Sequence, residues 1–124
     1  MDKVENKINV GSLRISQEVI STITATAIKE IEGVHSLALF TSNIRGWFFK
    51  KQTSKSIVID MNDDVAVIDI HVNVKPSVKV ATVAEQVQQS VKEAVQNMTG
   101  IAVSKVNVYI ANVIYDQVMS EIKN

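Results

Sequence analysis

The chain has 124 residues, a length that predicts one domain over residues 1–124. It contains no cysteine, which excludes disulfides, thiolate metal sites and thiol catalysis. Thirteen basic residues balance 13 acidic ones, which argues against nucleic-acid binding by bulk charge. We find neither a secretory signal nor an apolar run long enough to span a bilayer, so the sequence predicts a cytoplasmic protein.

The first third of the sequence predicts a short strand over residues 8–13, then an amphipathic helix. Ser16 has the side chain of a helix N-cap, and Gly33 is a candidate C-cap that would end the helix after Glu32. A further strand is predicted over residues 34–40. The apolar stripe of the helix consists of Val19, Ile20, Ile23, Ala27, Ile28 and Ile31.

The middle of the sequence predicts an irregular loop over residues 41–55, followed by a β-hairpin. Residues 56–61 and 65–75 alternate between apolar and polar, and the turn-forming Asn62, Asp63 and Asp64 separate them. The second run has a polar face, so one side of the sheet is predicted to carry no helix. The opposite, inward set is Ala66, Ile68, Ile70, Val72 and Val74.

The last third predicts a second helix and a final strand. Thr82 and Glu85 have the spacing of a capping box that starts the helix, and Gly100 is its predicted C-cap. A strand over 105–110 follows, with a bulge or strand end near Asn112. Residues 116–123 predict a short helix, and 1–7 and 117–124 are expected to fray. The stripe of the second helix is Ala84, Val87, Val91, Ala94, Val95 and Met98.

Together these elements predict an α+β fold in which two amphipathic helices pack on one face of a small mixed or antiparallel sheet. The predicted order is β-α-β-β-β-α-β with a short C-terminal helix. The outward sheet face is a candidate interaction surface that docks a partner or self-associates, and exposed strand edges favour a homo-oligomer. It carries Asp69, His71, Asn73, Lys75, Asn107 and Tyr109.

Catalytic chemistry has weak support in the sequence. No P-loop, dinucleotide-binding, zincin or nucleophile-elbow motif occurs. Asp69 and His71 share a strand face, where they could bind a metal or move a proton. The alternative is an ordinary polar pair on a solvated face, because a site needs several convergent ligands. We therefore predict no catalytic residue, metal site, cofactor or small-molecule substrate.

A second candidate interaction surface is an aromatic and cationic segment inside the irregular loop. Such a mixture suits peripheral contact with a membrane or a protein–protein hot spot. The alternative is that its aromatic rings cover an open end of the core. The segment consists of Arg45, Trp47, Phe48, Phe49, Lys50 and Lys51.

Two sequence blocks carry a resemblance to a known family. GSLRISQEVISTITATAIKEIEGVHSL combines a strand with glycine, an IS-x-EV helix start and an E-[VI]-EGV helix end. VAEQVQQSVKEAVQNMTGIAVSKVNVYIANV combines a helix, M-T-G and V-x-x-VNV. Over residues 8–115 the chain resembles the alkaline shock proteins, the envelope stress response family of Gram-positive bacteria.

The resemblance implies a non-enzymatic, cytoplasmic protein with protein partners. Some members gather at the inner face of the membrane through a small anchor protein. Others are encoded beside fatty-acid synthesis genes and affect acetyl-CoA carboxylase. The long charged tails of the stress-abundant members are missing here, which favours the compact housekeeping type. Gly33 and Gly100 are carried over as structural caps.

Overall fold

The computed structural model describes residues 11–39 and 55–115. In chain order these residues form helix α1 (Gln17–Lys29), strand β1 (Val34–Leu37), strands β2 (Ile57–Asn62) and β3 (Val65–Val74), helix α2 (Val80–Thr99) and strand β4 (Ala102–Val113). This α+β arrangement confirms the predicted fold class. The predicted helix over 116–123 lies outside the described residues. Residues 11–13, which the sequence assigns to a first strand, are not in a strand.

The sheet is mixed, and β3 is its central strand. Along one edge of β3, strand β4 runs parallel from Val65↔Ala102 to Val74↔Val113. Along the other edge, β2 and then β1 pair with β3 in antiparallel register. The parallel β3–α2–β4 connection places α2 across the sheet.

The predicted hairpin joins β2 to β3 through a two-residue turn. Asp63 and Asp64 both have positive φ, 51° and 71°. Two such residues in succession give the turn a backbone twist that matches the strands, and aspartate is among the residues that tolerate this conformation best. The turn therefore fixes the register in which Asn62 pairs with Val65.

The core lies between the helices and one face of the sheet. Every inward residue of β3, from Ala66 to Val74, is fully buried. Val83, Val87, Val91 and Val95 of α2 pack on them at helical spacing. The prediction that Val19 and Met98 belong to the buried stripes is wrong, because Val19 is 46% exposed and Met98 is 70% exposed. Thr24, which the predicted stripe omits, is fully buried, and its hydroxyl donates a 2.8 Å bond to the Ile20 carbonyl.

The two predicted glycine caps have different roles. Gly100 has φ 79° and is the left-handed C-cap of α2, as predicted. Gly33 is not the cap of α1: that helix ends at Lys29, and Glu30 is its C-cap in a right-handed conformation. A Cβ on Gly33 would lie 2.5 Å from Cγ2 of Val83. Gly33 is therefore required by close packing against α2.

The two helix starts also differ from each other. Ser16 is the N-cap of α1, and its hydroxyl accepts a 3.2 Å bond from the Val19 N–H. The predicted capping box of Thr82 and Glu85 is wrong, because α2 begins at Val80 with Lys79 as N-cap. The N–H of Thr82 already bonds the Lys79 carbonyl at 3.1 Å, so Thr82 lies inside the first turn.

Candidate interaction surface

One face of the sheet is not covered by the two helices, and we call it the open face. On β3 it carries the residues that alternate with the buried ones, and all of these are half-buried. The residues of β1, β2 and β4 that pair with these β3 residues place their side chains on the same face. The residues of the open face that bond or stack across strands are Ser36, Asp69, His71, Asn73, Asn107, Tyr109 and Asn112.

Three rows of side chains cross the open face from β4 to β3. In the first row, Asn107 Nδ2 donates a 2.8 Å bond to Asp69 Oδ1. In the second, the His71 and Tyr109 rings stack with centroids 4.7 Å apart and planes inclined by 22°. Each pair consists of direct Cα partners in the parallel register, so the backbone pairing itself brings the side chains together.

The third row extends over three strands. Asn112 Nδ2 donates a 3.2 Å bond to Asn73 Oδ1, and Asn73 Nδ2 donates a 3.1 Å bond to Ser36 Oγ on β1. A 2.8 Å hydrogen bond then joins Ser36 Oγ and His35 Nδ1. The row ties β1, β3 and β4 to one another through side chains as well as through the backbone.

Two bulges make the third row possible. The register of β4 shifts between Ile110 and Asn112, so Ala111 is an extra residue. Without it, strict alternation would turn Asn112 toward the helices and away from Asn73. On β1 the register shifts between Val34 and Ser36, with His35 as the extra residue. The predicted break in the strand near Asn112 is thus confirmed as a bulge.

The structure brings together five of the six residues predicted on the outward sheet face, namely Asp69, His71, Asn73, Asn107 and Tyr109. Asp69 and His71 do share a face, and each has its own partner on β4 in the rows above. Sequence reasoning missed Ser36, His35 and Asn112. The interrupted alternation near Asn112 was the only signal for this row, because no local pattern marks the bulge at His35.

The remaining predicted interaction residues fall elsewhere. Lys75 follows the end of β3 and is exposed, and its N–H donates a 3.0 Å bond to the Gly33 carbonyl. The aromatic and cationic segment lies outside the described residues: Arg45, Trp47, Phe48, Phe49, Lys50 and Lys51.

The described part of the chain contains neither a metal-binding cluster nor a membrane-spanning helix. In residues 11–39 and 55–115, no three His, Cys, Asp or Glu side chains lie close enough together to hold a metal ion. In the same ranges, neither helix is both long enough and apolar enough to cross a membrane. Two grooves, of about 580 and 610 Å³, border α1 on its β2 and α2 sides and not the rows of the open face.

Solved structures share this fold. One variant of MamM CTD superposes with a TM-score of 0.51 at 15% identity, covering 79% of this chain and 96% of that chain. A second variant has the same TM-score at 13% identity and covers 80% of this chain and 100% of that chain. At this level of identity the likeness concerns the fold alone.

Sequence comparison identifies the family. YqhY of Bacillus subtilis (strain 168) is 28% identical over 116 residues, which are 93% of this chain and 86% of YqhY. Spy1535 of Streptococcus pyogenes serotype M6 is 32% identical over 109 residues, which are 87% of this chain and 83% of Spy1535. The model of the alkaline shock protein 23 family, described as having a cell envelope-related function, matches residues 5–115. With a match over most of its length, this chain belongs to the alkaline shock protein 23 family.

Proposed function

We propose that this protein is a non-catalytic interaction module that serves the cell envelope by docking a protein partner on the open face. The observation that carries the proposal is the set of three side-chain rows across the side of the sheet that the two helices do not cover. Membership of a family with a cell envelope-related function supplies the cellular setting.

The rows support docking because they hold polar side chains in fixed positions before any partner arrives. A flexible side chain that becomes ordered on binding costs about 0.5–1.5 kcal/mol. Asp69, Asn73 and Asn107 are already ordered by bonds within the sheet. Binding on this face therefore costs less conformational entropy than binding on a face of solvated lysines and glutamates.

The chemistry of the open face fits a protein surface. Tyr109 is 48% exposed and presents an amphipathic ring, a residue type enriched at interface centres. Next to the rows, the paired strand β2 adds the exposed Val58, which lies opposite Asp69 in the register. Amides, hydroxyls and a few apolar groups in one layer match the mixed composition of non-obligate protein interfaces.

The way the polar groups bond to one another favours recognition over catalysis. The Asp69 carboxylate accepts from an amide, and the imidazole of His71 lies flat against a phenol ring. In a catalytic dyad the carboxylate would orient an imidazole that in turn reaches a nucleophile. Here an amide and a phenol ring of the neighbouring strand contact these two groups.

Site-specific photo-crosslinking in living cells tests the proposal. A photoreactive phenylalanine analogue replaces Tyr109 on the open face or, as the control, the exposed Lys92 on α2. We expect position 109 to give a defined adduct with a protein other than this chain, identified by its mass, that is absent from position 92 and weakened by Asn107→Ala. Equal adducts from both positions, or an adduct from position 109 with a second copy of this chain alone or with no protein, would contradict docking on this face.

The two alternatives from the sequence stay predictions. Peripheral membrane contact rests on the segment around Trp47, which lies outside the described residues. Regulation of acetyl-CoA carboxylase rests on the family resemblance alone. The same crosslinking experiment bears on the second of these, because the mass of the adduct identifies the bound protein.

A further inference from the structure

The outer edge of β4 has two unlike halves. In the first half, side chains of α2 bond the strand's backbone: Gln96 Oε1 accepts from the Val103 N–H at 3.0 Å, and Gln88 Nε2 donates to the Val106 carbonyl at 3.1 Å. These bonds occupy positions that another strand would need. The first half of the edge is therefore blocked by the protein itself.

The second half of the edge is not blocked in this way. Backbone groups alternate in direction along a strand, so Val108 and Ile110 point to the same side as Val106. Beyond the bulge, the Ile114 N–H bonds the Val74 carbonyl at 3.0 Å. The backbone N–H and carbonyl of the preceding Val113 therefore point away from β3. Within residues 11–39 and 55–115, no strand and no side chain bonds the outward backbone groups of residues 108–113.

The sequence of this half lacks the features that protect strand edges. Natural edges carry Lys, Pro or inward-pointing charges, which stop them from pairing with another chain. Residues 106–115 contain no charged residue, proline or glycine. Val113 is 44% exposed, and Tyr115 just beyond it is also exposed. The bulge at Ala111 is the one protective device in this half.

We propose that the β4 edge over residues 108–113 pairs in antiparallel fashion with the same edge of a second copy of this chain. Because the segment is uncharged, two identical edges meet without like-charge repulsion. A twofold axis normal to the sheet gives each copy the same donors and acceptors in return. This axis also places both open faces on the same side, so their rows of side chains adjoin. The proposal is independent of partner docking.

The length of the unblocked segment limits the strength of the pair. A standard stable interface buries about 800 Å² on each partner. Six residues of strand edge with the side chains of Val113 and Tyr115 form a smaller contact. The expected product is therefore a dimer that dissociates on dilution.

Analytical ultracentrifugation of the full chain over a wide concentration range tests this. In an antiparallel pair over residues 108–113, Val113 lies opposite Val108 of the second copy. Val113→Lys therefore puts an unpaired charge against an apolar side chain at each end of the contact, and we expect it to weaken dimerisation by at least about tenfold. Val113→Thr is the matched control, because threonine keeps the β-branched shape and adds no charge. We expect this control to dimerise within about threefold of the wild type.

A second variant keeps the test independent of folding. Val113→Pro removes an N–H that points away from β3, so the monomer fold is retained, and circular dichroism verifies this. We expect Val113→Pro to abolish the dimer and Asn107→Ala to leave it intact. A wild type that stays monomeric at its highest soluble concentration overturns the proposal. So do Val113→Lys and Val113→Pro variants that dimerise as the wild type does.

Discussion

The two faces of β3 use the same strand for different purposes. Toward the helices, the side chains of Ala66, Ile68, Ile70, Val72 and Val74 are fully buried. Toward the open face, the alternate side chains are half-buried, and those from Asp69 to Asn73 bond or stack across to β4. The comparison indicates that the apolar burial that stabilises the fold is concentrated on the face toward the helices, and the docking proposed above uses the other face.

Truncating one apolar side chain on each face of β3's sheet is expected to give the largest difference in the free energy of unfolding. Ile70→Ala removes buried methyl and methylene groups between sheet and helices, and we expect it to lower the free energy of unfolding by about 2–5 kcal/mol. Val58→Ala on the open face is the control, with an expected loss of about 0.5 kcal/mol. Urea denaturation measures both, and similar losses would contradict the comparison.

Close packing under α2 is tested by adding one methyl group. In Gly33→Ala the new Cβ meets Cγ2 of the buried Val83, and overpacking of this kind costs about 1–3 kcal/mol. Combining it with Val83→Ala removes the clash, so a double-mutant cycle should show coupling of about 1 kcal/mol. Additive losses would indicate that Gly33 matters for another reason, such as its backbone conformation.

On the open face we expect one substitution to weaken partner binding strongly while lowering the free energy of unfolding only a little. Asn107→Ala removes the amide that bonds the half-buried Asp69, and the expected loss of folding stability is about 1 kcal/mol. The adduct from a crosslinker at position 109 should nevertheless fall by about tenfold, corresponding to 1.4 kcal/mol of binding free energy. An unchanged adduct would restrict the role of this row to the fold.

The smallest expected effect separates the two parts of Tyr109. Tyr109→Phe keeps the ring that stacks on His71, so the free energy of unfolding should change by less than about 0.5 kcal/mol. Tyr109→Ala removes the stack and should cost about 0.5–1 kcal/mol. Thermal unfolding of both variants measures the difference. Equal losses would place the contribution of Tyr109 in its hydroxyl group.

The local elements were largely predictable from the sequence, because they depend on short-range periodicity. The inward set of β3, the turn at Asp63 and Asp64, and the C-cap Gly100 each follow from a few adjacent residues. The misassigned positions depend on tertiary contacts. Gly33 has the sequence signature of a cap. It must lack a side chain, however, because Val83, which lies 50 positions later in the sequence, packs against it.

For the candidate site, the sequence predicted which residues share one face of the sheet but not which of them contact each other. Alternation put Asp69, His71, Asn107 and Tyr109 on one side, but which residues meet depends on the parallel register of β3 and β4. No local pattern specifies that register, since α2 and two loops separate the strands. The bulges at His35 and Ala111 change the alternation further, and they determine that Ser36 and Asn112 join Asn73.

The central position of β3 has a consequence for synthesis on the ribosome. Every other described strand bonds to β3, and β4 is separated from it by the whole of α2. A nascent chain can close the β2–β3 hairpin early, whereas the far side of β3 stays open until β4 has emerged. During that interval an apolar strand is exposed to aggregation, so rapid formation of α2 protects the growing chain.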